Sequence, residues 1–144
     1  MMFSKTCKYA IRAVVYIASQ KEFQRRVGAV EIGKEIGAPK PFTSKILQEL
    51  TKRGIVSSQK GPNGGFFVTE QQLQTPIKMV VLTIDGDAIY TRCALGTGPC
   101  SDTTPCPVHT QFKQIRAQAI KMLDQTSIGM LSVNFNEGIS VLMR

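Results

Sequence analysis

Cys93, Cys100, Cys106 and His109 stand in the spacing C-x6-C-x5-C-x2-H. The loop that carries the three cysteines, residues 93–106, is rich in Gly, Pro, Ser and Thr. Thiolates on so pliable a loop can wrap an iron–sulfur core. A Cys₃His set equally suits tetrahedral zinc, and unliganded thiols can act as a redox switch. Thr104 reads as an N-cap and Pro105 as the first residue of a long helix. On that reading Cys106 and His109 share one helical face, at the positive end of the dipole, where thiolates are stabilised. Cys7 is different: it falls on an apolar stripe and reads as a small buried residue. No Ser/His/Asp set or carboxylate pair is evident in the sequence, so an enzyme is not expected.

The other chemistry-bearing stretch is residues 41–69. Phe42, Ile46, Leu47 and Leu50 recur at helical spacing and predict a buried face. Thr43, Ser44, Lys45, Gln48 and Lys52 fall on the opposite face. Pro41 suits a first helical turn, and Gly54 a helix end. Two short apolar runs then flank Gly61-Pro62-Asn63-Gly64-Gly65, predicting a β-hairpin. A helix followed at once by a glycine-tipped hairpin is the end of a winged helix-turn-helix. The helix is expected to enter the major groove of double-stranded DNA, with Thr43, Ser44, Lys45 and Gln48 at base edges. Lys52 lies on the same face, and Lys60 and Asn63 place the hairpin on the backbone or minor groove.

The charge distribution agrees with that expectation. The 144-residue chain carries a net charge of +8. Residues 1–69 hold twelve Lys/Arg against four acidic residues, while residues 70–144 hold six of each. The whole surplus therefore sits on the candidate reader, as a phosphate-binding surface requires. No signal peptide or run of 18 apolar residues is present, so a cytoplasmic protein with no membrane partner is expected. In that compartment the cysteines favour metal or redox chemistry over structural disulfides.

These sites need a scaffold. A first helix is predicted over 5–20, with Cys7, Ala10, Val14, Ile17 and Ala18 as its apolar stripe. After a basic connection at 21–26, a second short helix runs over 27–36, anchored by Val30, Ile32 and Ile36. Residues 71–76 read as a linker, and 77–84 as a short buried helix or a strand. Along the late helix, Val108, Phe112, Ile115, Ala119 and Met122 step by four and three, a seam that calls for another helix. Because the reader module is expected to close its own core, that partner is expected to be a second copy of the chain. The tail over 131–144, interrupted by Asn134 and Asn136, reads as a small strand or a cover. The predicted fold is mainly α with a small β-hairpin wing. It comprises a winged helix-turn-helix at 1–76 and a cysteine loop with a long C-terminal dimerisation helix at 77–144.

Several of these residues together resemble the Rrf-two family of bacterial winged-helix regulators. They are Tyr9-Ala10 with Arg12, Leu50 through Gly54-Ile55-Val56-Ser57-Ser58, the wing Gly61 to Phe66, the turn Ile84-Asp85-Gly86, and the three cysteines before a long helix. The resemblance spans roughly residues 2–126. It implies a homodimeric transcription factor, a repressor in this reading, whose long helices cross at the dimer interface. It also implies a 2Fe–2S or 4Fe–4S cluster on Cys93, Cys100 and Cys106 that tunes DNA binding to iron–sulfur status, redox state or nitric oxide. Cluster-binding members usually space their cysteines C-x5-C-x5-C, and here the first gap is six. Some members supply a carboxylate ligand from the first helix of the partner subunit; Lys8 stands at that place, beside Cys7. Asn63 replaces a usual wing glycine. The fourth ligand is thus open among His109, a partner-chain Cys7, and an exogenous thiol or water, with zinc as the alternative metal.

Overall fold

A computed structural model describes residues 2–20, 22–138 and 141. Helix α1 (Lys5–Ala18) is the hub, and it is capped by Ser4, whose Oγ accepts from the Cys7 N–H at 3.0 Å. Its stripe is buried as the periodicity requires, with Cys7, Ala10 and Val14 fully enclosed. Helix α2 (Ala29–Ile36), helix α3 (Lys40–Lys52), helix α5 (Ile77–Asp85) and helix α8 (Ile128–Asn136) all pack on α1. Each large aliphatic side chain enclosed there, such as Ile32, Ile36, Leu47 and Leu50, contributes about 1.5–3 kcal/mol through burial.

Strands β1 (Ser57–Gln59) and β2 (Gly65–Phe67) form the antiparallel hairpin, pairing Ser57 with Phe67 and Gln59 with Gly65. Val27 adds a third edge, exchanging two 2.8 Å backbone hydrogen bonds with Phe66. This explains why Val27 is fully buried while Val30, the expected anchor of α2, is 68% exposed. Gly65 sits at φ 144°, and a Cβ there would lie 2.8 Å from the Val27 carbonyl oxygen. Only glycine lets that edge approach.

Beyond the hairpin several expectations change. The linker at 71–76 instead contains a one-turn helix α4 (Glu70–Leu73), set by a capping box between Thr69 and Gln72. Residues 77–84 are helical, within α5, and helix α6 (Ala88–Thr91) follows. Helix α7 (His109–Gln125) begins four residues later than Pro105 suggests. Ser101 Oγ accepts from the N–H groups of Thr103 and Thr104 and holds them in a turn, so Thr104 does not cap α7. The tail forms helix α8, capped by Ser127, and not a strand. Asn134 and Asn136 lie on its exposed side and do not break it. The rest of the expected tail, at 139–140 and 142–144, lies outside the described residues, as does Lys21 of the basic connection.

The expected division at residue 76 does not interrupt the core. Ile77, Val80, Val81, Leu123 and Ile128 belong to the same apolar cluster as the α1, α2 and α3 side chains. The reader therefore does not close its own core; α5, α7 and α8 complete it.

Candidate functional site

Two surfaces carry the sequence-selected residues. The first is built on α3 and the hairpin. Lys45, Gln48 and Lys52 step by three and four residues, lie on one face and are exposed; Ser44 is half-buried. Lys60 and Asn63 are exposed on the hairpin, and a groove between the two elements is lined by Gln48, Lys52, Gln59, Lys60 and Phe66. Among the described residues, none of Lys40, Lys45, Lys52 and Lys60 is held in an ion pair. Lys52 and Lys60 line this groove and Lys45 lies on the same helical face, so uncompensated ammonium groups form a surface for a polyanion.

Thr43 does not belong to that face. It is 1% exposed, its Oγ1 donates to the Pro39 carbonyl at 3.2 Å, and it packs on Gly33 of α2. A Cβ on Gly33 would stand 2.9 Å from that Oγ1, so the close approach of α2 and α3 depends on the missing side chain. Turning Thr43 inward turns Phe42 outward. Phe42, expected in the core, is 51% exposed, and it shares a groove with Lys45 and with Ser4 and Thr6 at the start of α1. Sequence reasoning missed Phe42 as a surface residue because aromatic residues at helical spacing normally mark a core face.

The second surface is the loop between α6 and α7. Backbone hydrogen bonds from Cys93 N–H to Gly98 O (2.9 Å), Gly96 N–H to Cys93 O (3.0 Å) and Cys100 N–H to Thr91 O (2.7 Å) close residues 91–100 into a compact turn. Cys93 points inward, only 9% exposed. Thr97 Oγ1 donates to its sulfur at 3.1 Å. That hydroxyl first, and then the N–H groups of Leu95 and Thr97, favour the charged form and pull the Cys93 thiol down to about 6; Cys106 adds a smaller push in the same direction. These contacts favour the thiolate form of Cys93, with Cys106 beside it.

Cys100 Sγ lies 3.5 Å from His109 Nδ1. The other ring nitrogen, Nε2, lies 2.8 Å from Asp102 Oδ1, and Lys113 Nζ reaches the same oxygen at 2.8 Å. Lys113 and then His109 hold the Asp102 carboxyl below its usual range. Cys106 is not on α7 as expected; it lies in the turn before it, where its carbonyl accepts from His109 N–H at 3.0 Å. The expected ligands thus fall into two pairs on the loop, Cys93 with Cys106 and Cys100 with His109. Among the described residues, no three His, Cys, Asp or Glu side chains converge on one metal-sized point. The donor chemistry still fits a thiophilic centre: one stabilised thiolate, two further thiols and an imidazole on a loop that glycine makes pliable.

Cys7 is excluded from that set. It is fully enclosed, and burial first, then the Asp85 carboxylate, pushes its thiol up to about 12. A buried neutral thiol under α1 cannot reach across to a second subunit, so the expectation of Cys7 as an alternative fourth ligand is withdrawn. Asp85 is occupied locally, accepting from Ser4 N–H at 2.9 Å and from Ser4 Oγ.

The family model for Rrf2, an iron-dependent transcriptional regulator, matches residues 3–134. A protein of Aquifex aeolicus (strain VF5) described as an HTH-type transcriptional regulator is 36% identical over 140 residues, covering 95% of this chain and 94% of that protein. The HTH-type transcriptional regulator IscR of Vibrio cholerae is 26% identical over 141 residues, 98% of this chain and 80% of that protein. Among solved structures, the global cysteine regulator CymR of B. subtilis aligns with a TM-score of 0.72 at 16% identity, covering 91% of this chain and 95% of that one. T. potens IscR aligns with a TM-score of 0.71 at 15% identity, covering 96% and 90%. The last two establish likeness of fold. No helix among the described residues is long and apolar enough to cross a membrane.

Proposed function

This chain belongs to the Rrf2 family of helix-turn-helix transcriptional regulators, and on that premise we propose that it is a repressor whose operator affinity is set by an iron–sulfur cluster on its cysteine loop. Cys93, Cys100, Cys106 and His109 would hold the cluster, of 2Fe–2S or 4Fe–4S type. When bound, it supplies a redox couple and a centre that oxidants or nitric oxide can destroy. The observation that carries this reading is the Cys93 sulfur, which accepts from Thr97 Oγ1 at 3.1 Å, on the same loop as the Cys100–His109 pair.

The DNA-facing residues in this proposal are Ser44, Lys45, Gln48, Lys52, Lys60 and Asn63. Phe42 joins them as an apolar contact of the kind that reads thymine methyl groups. Two copies are needed for a two-fold operator. Phe112, Ile115 and Met122 on α7 are 41%, 53% and 48% exposed, an open apolar seam that a second α7 would cover. The cytoplasm is the compartment where such a protein meets DNA.

Anaerobically purified protein tests this directly. Its visible spectrum, with iron, sulfide and zinc assays, identifies what the loop holds. Operator affinity is then measured for loaded and metal-free protein at the same salt concentration. A coupling of about 1–3 kcal/mol would separate the two by roughly 5- to 150-fold. Equal affinities with a cluster present would make the loop structural, and zinc without sulfide would replace the cluster by a zinc staple.

A further inference from the structure

We propose that Asp102 is a positioning residue for His109: it holds the proton on Nε2 and so leaves Nδ1 as the nitrogen that faces the cysteines. This rests on the reading of Cys93, Cys100, Cys106 and His109 as a ligand set, and it assigns a task to a carboxylate that the reading leaves unused.

A ligating histidine binds through one nitrogen and gives its other N–H to an acceptor, which fixes the ring and its tautomer. His109 has both halves of that arrangement in place. Asp102 Oδ1 is 2.8 Å from Nε2, and a carboxylate can only accept, so the proton resides on Nε2. Nδ1 then turns to Cys100 Sγ at 3.5 Å. The imidazole side chain is only 11% exposed, so its orientation is set by these neighbours and not by solvent.

Asp102 is itself fixed from two directions. Lys113, four residues along α7 from His109, bonds the same Oδ1 at 2.8 Å. Ser101 Oγ ties the N–H groups of Thr103 and Thr104 and folds residues 101–104 over the first turn of α7. A competing description makes Asp102–Lys113 an ordinary solvated ion pair with His109 as a bystander, since those two side chains are 70% and 60% exposed. The two descriptions require different tautomers of His109 once each partner is removed.

His109 is the only histidine in the chain, so ¹⁵N NMR of labelled, metal-free protein without a histidine tag reports its two nitrogens with no assignment step. At alkaline pH the wild type should carry the proton on Nε2. Lys113→Ala and Asp102→Asn should keep it there, because an acceptor oxygen remains. Asp102→Ala should give a mixture of tautomers. In cluster-loaded protein, the ¹⁵N hyperfine coupling should arise from Nδ1. Loss of iron to a chelator should be faster by about 10–100-fold in Asp102→Ala, and largely restored in Asp102→Asn. A wild type protonated on Nδ1, a tautomer unchanged in Asp102→Ala, or coupling through Nε2 would each overturn the proposal. A wild type that takes up no cluster removes the ligand reading, and the metal-free tautomer still decides the role of Asp102.

Discussion

Replacing Lys60 by Ala tests whether the hairpin is a phosphate contact. Lys60 is exposed at the shoulder of the hairpin and forms no ion pair among the described residues, so its removal frees no buried partner and should leave the fold intact. In the proposed dimer, Lys45, Lys52 and Lys60 would present six free ammonium groups to DNA. Counterion release then predicts a slope of log K against log salt of about −5, or about a 10³-fold loss of affinity between 50 and 200 mM salt. Lys60→Ala removes two of the six, so the slope should fall to about −3.6 and the loss to about 10²-fold. Because phosphate carries no sequence, cognate and non-cognate duplexes should weaken alike. Gln48→Ala is the control: losing a base-edge contact should cost about 1–3 kcal/mol on the cognate duplex only, with the slope unchanged. Fluorescence anisotropy on both duplexes over that salt range reads all of these quantities. A Lys60→Ala slope equal to wild type would take the hairpin off the backbone, whatever happened to affinity at a single salt concentration.

Gly65→Ala should force apart the Val27 edge and the hairpin, since the new methyl meets the Val27 backbone at 2.8 Å; operator affinity should drop while circular dichroism keeps its helical signal. Phe112→Lys with Ile115→Lys places charges in the open seam of α7 and should give monomers by light scattering; a dimer persisting in the double variant would put the interface elsewhere. Thr97→Val removes the first donor to the Cys93 sulfur, so the thiolate loses stabilisation and its pKa rises from about 6. The depressed folded-state pKa contributes stability above the unfolded thiol value that is lost as pH falls through about 6. Thiolate absorbance followed against pH in metal-free protein should show Cys93 titrating near that pH in wild type and higher in the variant.

Much of this was legible from periodicity and turn chemistry. The stripe on α1, the glycine stops after α2 and α3, and the Gly-Pro-Asn-Gly-Gly hairpin tip are local signals, and local physics decided them. The rotation of α3 was not local. Apolar counting put Phe42 inside, but the rotation is set by Gly33 on another helix, whose bare backbone admits Thr43. The start of α7 misled for a related reason. Thr104-Pro105 has the chemistry of an N-cap and first turn, yet residues 101–104 fold into a turn around Ser101 Oγ and the helix starts only at His109. In the cysteine loop the spacing marked Cys93, Cys100, Cys106 and His109 as candidate donors. It could not reveal Asp102, because a carboxylate seven residues from a histidine becomes its partner only when the intervening turn folds back.

The packing also limits how the loop can speak to the reader. The late half of α7 is clamped. Leu123 is in the shared core, Lys78 pairs with Asp124 at 3.2 Å, and Ile77 N–H bonds Thr126 O at 2.8 Å while Ile128 N–H bonds Thr75 O at 3.0 Å. Those bonds fix the end of α7 to the start of α5. The far end of α5 is fixed to α1 through Asp85 and Ser4, and α5 also packs on α3. Within one subunit, then, α7 and α3 belong to one packed body, and tilting one against the other would open a core that includes Val80, Val81 and Ile128. The early half of α7 is different: there the loop residues and the exposed Phe112 and Ile115 lie side by side, in one groove with Cys93 and Arg92. In the proposed dimer, a change at the cysteines meets least resistance at that seam. The quantity it can alter is the spacing and angle of two rigid readers, which is what binding to a two-fold DNA site measures.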